Sequence, residues 1–319
     1  MKSPAPLDEL AASLNALERV DTSEFQRRAR VLQALWREEH GWPCGEHRGP
    51  SGTRPLGSRL PMPWARETLA NFITDGVRRV VDSEVCDPTR SRGKLFGKPR
   101  IFNDLLSSQP LCFNLFGELT ADLDLASKAV RRLTDGRFDE VTSIDFEHSP
   151  GRADARYLND RSAFDVFLRC RTSGGGSGFV GIEVKYHESL KRDKAGSHKP
   201  EYDAVADQMG CFNADREALM RRPLQQIWRD HLLAGATRLV DGFDDAVFVV
   251  LYPRDNPHVA AALDRYRLQL TSEDSFSAWT MEDVVGVLRE FTDAPWVEAL
   301  HDRYLDFSKV DTALGMGSA

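Results

Sequence analysis

With 319 residues, 41% of them hydrophobic and 29% charged, the chain has room for one large domain or two small ones around a sizeable core. Its net charge of −7 argues against indiscriminate nucleic-acid binding, which needs a basic surface, while leaving room for a local basic groove. Five scattered cysteines (Cys44, Cys86, Cys112, Cys170 and Cys211), odd in number and without C-x-x-C spacing, argue against a disulfide framework or structural zinc and for a reducing cytoplasm.

Met1 to Pro6 lead into a polar amphipathic helix and not into an apolar signal segment. No run approaches the roughly 20 apolar residues of a membrane span. Apolar residues keep helical spacing from Leu7 to Glu39, with a break around Val20 to Ser23, so two helices are predicted and Ser23 caps the second. Gly41 to Pro63, rich in Gly, Pro and Arg, reads as a long irregular loop. Trp64 to Val85 is helical again. Arg90, Arg92, Lys94, Lys98 and Arg100 then form a run without an acid. One helix is predicted from Leu111 through Leu133, with Glu118 inside its apolar stretch. Phe138 to Phe146 is the first strand, closed by Glu147 and His148 and followed by a loop to Asp160.

Ala163 to Cys170 and Gly178 to Tyr186 are both strand-like runs of β-branched and aromatic residues. The Gly/Ser-rich segment between them suits a hairpin connection. Along the second strand, Glu183 and Lys185 share one face, while Val180, Ile182 and Val184 point to the other. Folding the hairpin about Gly174 sets Asp165 opposite Glu183, with Cβ atoms roughly 5 Å apart. Two carboxylates at that distance repel unless a hard cation lies between them, and magnesium suits such a site. Lys185 then stands beside the metal, able to stabilise a phosphate oxyanion or to orient a water. The alternative is a plain Glu183–Lys185 ion pair without chemistry.

Beyond this hairpin comes a polar loop, His187 to Glu201, which carries a second basic group of Lys191, Arg192, Lys194, His198 and Lys199. A helix is predicted over Tyr202 to Phe212, and Pro223 opens another through Leu239. Leu224, Ile227, Trp228 and His231 form the inner face of the latter, with Gln226 and Arg229 as polar neighbours. Asp245 to Pro253 is a continuous apolar strand, buried on both faces. Helices follow around Pro257 to Arg267 and Met281 to Glu290, and the end from Leu314 reads as frayed. The order helix, strand, strand, strand, helix, strand describes a three-layer α/β/α core with a mixed sheet.

Asp165, followed by Glu183-Val184-Lys185 on the next strand, resembles the PD-(D/E)XK nuclease superfamily, the fold of many restriction endonucleases, and within it a bacterial restriction-endonuclease-like group. Phe164 stands where that motif has its proline. The resemblance implies a helical and loop extension over residues 1–100 packed on a nuclease-like domain over 101–319. It also implies Mg²⁺ (with Mn²⁺ as a substitute) held by Asp165, Glu183 and the Val184 carbonyl, with Glu118 as an extra acid from the helix before the sheet. Gln226 and Arg229 are then candidates to face the scissile phosphate, and Glu147 and His148 are reserves. The expected function is metal-dependent endonucleolytic hydrolysis of DNA in the cytoplasm. Cutting both strands would favour a homodimer. The rival expectation is an inactive nuclease-fold module that binds nucleic acid or a partner in a defence or repair assembly.

Overall fold

Ser23 does open the second helix. In the computed structural model, which describes residues 5–50, 52–190 and 197–316, the N-terminal helices are α1 (Pro6–Ser13) and α2 (Glu24–Glu39). Ser23 and Gln26 form a reciprocal capping box at the start of α2. The expected irregular loop after α2 instead contains a small antiparallel hairpin, β1 (Gly45–Gly49) and β2 (Gly52–Leu56). Its strands are polar and almost without alternation, so sequence pattern does not reveal them.

Short helices follow: α3 (Trp64–Thr68), α4 (Asp75–Val81) with a π-helical turn at Asp82–Cys86, and α5 (Arg100–Asn103). The long helix expected over 111–133 is two, α6 (Ser108–Phe116) and α7 (Leu123–Leu133), separated by a 3₁₀ turn at Glu118–Thr120. Gly117 joins α6 to this turn with helical dihedrals. A Cβ there would meet the Phe113 carbonyl at 2.5 Å and Val77 at 3.1 Å, so only glycine allows α4 to pack so close. Asp122 caps α7 by accepting from Leu125 N–H.

The central sheet has five strands in spatial order β3 (Phe138–His148), β4 (Phe164–Thr172), β5 (Ser177–Val184), β6 (Asp245–Tyr252) and β7 (Phe276–Thr280). β3, β4 and β5 pair antiparallel, whereas β5, β6 and β7 pair parallel, which makes the sheet mixed. Helices α8 (Pro200–Met209) and α9 (Leu224–Asp241) form the crossover from β5 to β6, and α10 (Pro257–Arg267) joins β6 to β7. The chain ends in α11 (Met281–Phe291), α12 (Pro295–Tyr304) and α13 (Ser308–Ala313). β7 is short, half-polar and absent from the sequence reading.

Each face of the sheet carries its own apolar cluster. Val166, Ile182, Val184 and Val249 pack with α6, α7 and α11 through Leu111, Phe113, Ala129 and Leu288. Phe167, Phe179, Phe248 and Val250 pack with α8, α9 and α10 through Tyr202, Trp228, Leu232 and Leu263. Helices therefore cover both faces, the expected three-layer α/β/α arrangement. The first cluster also takes in Phe25, Trp36, Phe72 and Phe102, so residues on both sides of position 100 share one core. No helix among the described residues is long and apolar enough to cross a membrane.

Candidate active site

The end of β5 is where the polar face begins. The β4–β5 register ends at Val166 and Ile182, so Asp165 and Glu183 are the next residue of each strand beyond the last pair. The β4 ladder stops there, and Val184 N–H donates to Asp165 Oδ2 at 2.8 Å instead. On the opposite edge, Lys185 N–H continues the parallel ladder to the Leu251 carbonyl at 2.8 Å. A strand residue's N–H and C=O lie on the same edge, so the Val184 carbonyl is turned toward the Asp165 side. Gly181 shares the face of Glu183. A Cβ there would stand 2.6 Å from the Phe164 ring, so its absence lets Phe164 fold under the site.

Glu183 and Lys185 are about one-tenth exposed, and both meet α9. Lys185 Nζ lies 2.7 Å from Glu183 Oε1 and donates to Gln226 Oε1 at 3.0 Å. Gln226 Nε2 donates to Glu183 Oε1 at 2.7 Å. Three polar side chains thus close a ring under the helix layer, which is how a buried ion pair has to be satisfied. Burial pushes the Asp165 carboxyl well above the usual carboxylate range, and repulsion from Glu183 adds to this; Lys185 and the Val184 N–H pull the other way. Burial alone would lower Lys185, but Glu183, Glu188 and Asp165 outweigh it and keep the amine charged.

Further acids surround this ring. Glu147, at the end of β3 with a left-handed backbone (φ 51°), is pushed up by burial and then by Glu183. It accepts from Gln109 Nε2 of α6 at 3.4 Å. Glu188 Oε2 accepts from the N–H groups of Tyr186 (2.7 Å) and His187 (3.0 Å). Asp230, one turn beyond Gln226 on α9, is buried and its Oδ2 has no hydrogen-bond partner among the described residues. Its carboxyl is pushed well up by burial and by Glu183. Neither Asp230 nor Glu188 is legible as a site residue in sequence, because each is defined by what folds against it. The only signal was helical spacing from Gln226 for the first and nearness to Lys185 for the second.

Glu118, expected to supply an acid from the helix before the sheet, lies in a turn and not in a helix. It sits in the 3₁₀ turn after α6, its Oε1 accepts from the Thr74 hydroxyl, and it lines a separate cleft with Arg79 and Glu84. The strongest charge effects on Asp165 come from Glu183, Lys185 and Glu147. Cys112 of α6 lies among the carboxylates: burial raises its thiol well above the ordinary range, with Asp165 and Glu183 adding. His148 stacks on Phe167 with ring centres 4.3 Å apart, and burial lowers its pKa, so it packs against β4. Arg229 is half-buried; its charge acts on Asp230 and Tyr202, and its Nε has no partner among the described residues.

The basic runs are partly spent. Arg90 and Lys94 pair with Glu84 at 2.7 and 2.6 Å, and Lys98 donates to the Val85 carbonyl at 2.8 Å. His198 pairs with Asp203 at 2.7 Å and Lys199 reaches the Asn159 carbonyl, while Lys191, Arg192 and Lys194 lie outside the described residues. No group of three or more His, Cys, Asp or Glu among the described residues is placed to hold a metal ion by itself. Two opposed carboxylates and a strand carbonyl, all oxygen donors, nevertheless fit a hard divalent cation whose remaining positions go to waters or phosphate.

A mixed sheet between two helix layers, with an acid on one strand and Glu-x-Lys on the next, defines a restriction-endonuclease-like nuclease fold. The chain belongs to the PD-(D/E)XK nuclease superfamily, whose family model matches residues 19–306. No curated protein and no solved structure gives a match. Membership points to a metal-dependent nuclease, and nucleases of this superfamily generally use divalent metals.

Proposed function

We propose that the protein is a Mg²⁺-dependent endonuclease that hydrolyses phosphodiester bonds in DNA. The observation that carries this reading is the convergence of Asp165, Glu183 and Lys185 at the open end of β4 and β5. Asp165 and Glu183 would hold the cation with the Val184 carbonyl. When bound, it supplies positive charge at the phosphoryl group and lowers the pKa of an attacking water. Lys185, kept charged by its carboxylate neighbours, faces the negative charge that develops on the phosphate oxygens. Gln226 fixes the orientation of both Glu183 and Lys185. The choice of DNA rests on the likeness to restriction endonucleases.

The test is cleavage of plasmid and linear DNA by purified protein with Mg²⁺ or Mn²⁺, beside a Lys185→Ala variant whose folding is checked by thermal melting. The reading expects metal-dependent cutting that this variant loses. Equal cutting by a folded Lys185→Ala protein would reject the mechanism.

A further inference from the structure

Beside the carboxylates lies a cleft of about 290 Å³ between α2, the β1–β2 hairpin and the start of α6. Its lining includes Arg30, Arg59, Arg100, Ser107, His187 and Glu188. We propose that this cleft binds the phosphodiester backbone of the substrate strand next to the scissile phosphate, through Ser107, the α6 N-terminus, Arg59 and Arg100. The proposal rests on the nuclease reading and adds the place where the strand leaves the catalytic carboxylates.

Two polar groups in the cleft are built but unused. Ser107 is 7% exposed, and its Oγ has no hydrogen-bond partner among the described residues. It is the N-cap residue of α6, yet its side chain caps nothing. The first-turn N–H groups of a helix have no partner within the helix and carry the positive end of its dipole, a natural place for an oxyanion. Arg59 is the second. Its Nε is buried without a partner, and its other contacts are long: 3.4 Å to the Glu46 carbonyl, 3.5 Å to His47 Nδ1 and 3.4 Å to Asp104 Oδ2. A guanidinium held this loosely can turn to a phosphate, for which its planar fork is suited. Arg100 is exposed on the rim.

Three acids also line the cleft, and each is already engaged. Glu18 accepts from Arg54, Asp104 Oδ1 accepts from Leu106 N–H at 3.1 Å, and Glu188 takes the Tyr186 and His187 N–H groups. Arg30 is held in the wall by Asp21, at 2.5 and 2.9 Å, and by Ser58.

Continuity with the site comes from two directions. Glu188, on the cleft wall, is one of the carboxylates that hold Lys185 charged. On α6, Gln109 reaches Glu147 two residues after Ser107, and Cys112 lies among Asp165, Glu183 and Glu147. A strand whose phosphate sits at Asp165 and Glu183 therefore has the cleft as its neighbour.

The experiment measures binding of labelled DNA and RNA oligonucleotides in EDTA across a salt series, so that cleavage plays no part. Wild type is compared with R59Q, S107A and R100Q, all checked by thermal melting; Arg100 is exposed, so R100Q keeps the test valid if R59Q does not fold. The proposal expects R59Q and R100Q each to weaken binding and to lower the slope of log K against log salt by about 1, with S107A weakening it less. Wild-type affinity and slope in both arginine variants overturn the cleft assignment, as does a wild type that binds neither DNA nor RNA. Arginine-dependent binding by a protein that never cuts rejects the nuclease reading and leaves the cleft standing. Metal-dependent cutting with arginine-independent binding does the reverse.

Discussion

Gln226 grips Glu183 through its amide Nε2 at 2.7 Å while its Oε1 takes the Lys185 ammonium at 3.0 Å. One amide thus serves both charges of the Glu-x-Lys pair, with the donor and acceptor ends each used once. Helix α9 holds it there through Leu224, Ile227 and Trp228, which are buried against the second face of the sheet. Gln226→Ala leaves the ion pair intact but frees both partners to rotate. The expected outcome is a stability loss of about 1–3 kcal/mol from the buried polar groups left short of a partner. A fall in kcat of about a hundredfold should accompany it, from misplacement of Lys185. Urea unfolding and single-turnover cleavage measure the two separately, and an unchanged cleavage rate would remove Gln226 from the site.

Asp165 gives a metal-linked prediction. Burial and Glu183 raise its carboxyl, so stability is lost as pH rises from the ordinary carboxylate range to the raised folded value, and it returns as pH falls back through that window. Asp165→Asn removes that opposition. The metal-free variant should melt higher than metal-free wild type at neutral pH. Adding Mg²⁺ should raise the Tm of wild type, by about 2.7 kcal/mol of stability at a hundred times its Kd, and leave the variant unmoved. Calorimetric melting with and without Mg²⁺ decides it: a Tm gain of the same size in both proteins places the cation elsewhere.

The hairpin was legible in sequence because its register needs only local information. Gly174 lies in a Gly/Ser turn between two apolar runs, and the strands pair in register up to Val166 and Ile182, the residues next to Asp165 and Glu183. The β6 strand was legible for the same reason, as an unbroken apolar run, and the helix read around Pro257 to Arg267 is α10. What escaped was decided by tertiary contact. Glu118 sits in a plausible helix by spacing, but the chain tightens into a 3₁₀ turn after Gly117, which packs close to Val77, and the carboxylate there meets Thr74. Glu188 and Asp230 look like ordinary polar residues of a loop and a helix until Lys185 and Glu183 are packed beside them. β1, β2 and β7 are short and too polar for alternation to show.

His231 sets a pH dependence away from the site. It is fully buried on α9, with its ring nitrogens 2.8 Å from Tyr266 Oη and Ser275 Oγ, and burial lowers its pKa to about 3. Below about pH 6.5 the unfolded chain takes up a proton that the folded chain refuses, so stability falls as pH drops through the window from about 6.5 to about 3. The slope this residue adds approaches roughly 1.4 kcal/mol per pH unit. His231→Gln should be less stable than wild type at neutral pH, yet its stability should fall less steeply between pH 7 and pH 5. Urea unfolding across that range checks the difference in slopes; parallel curves would mean that His231 is charged in the folded state.

Glu118 and Glu147 are two acids with different surroundings. Glu118 is held by Thr74 in its own cleft, while Glu147 feels Glu183 and is tied to α6 through Gln109. A carboxylate acts on a nearby cation or phosphate only over the short range where charge is poorly screened. Glu118→Gln should therefore keep cleavage within a few-fold of wild type. Glu147→Gln removes a negative charge next to Glu183 and should shift the Mg²⁺ concentration needed for half-maximal cutting. Metal titrations of the cleavage rate for the two variants separate the assignments. Loss of cutting in Glu118→Gln with an unaltered Glu147→Gln would assign the extra acid to the turn after α6 and not to the end of β3.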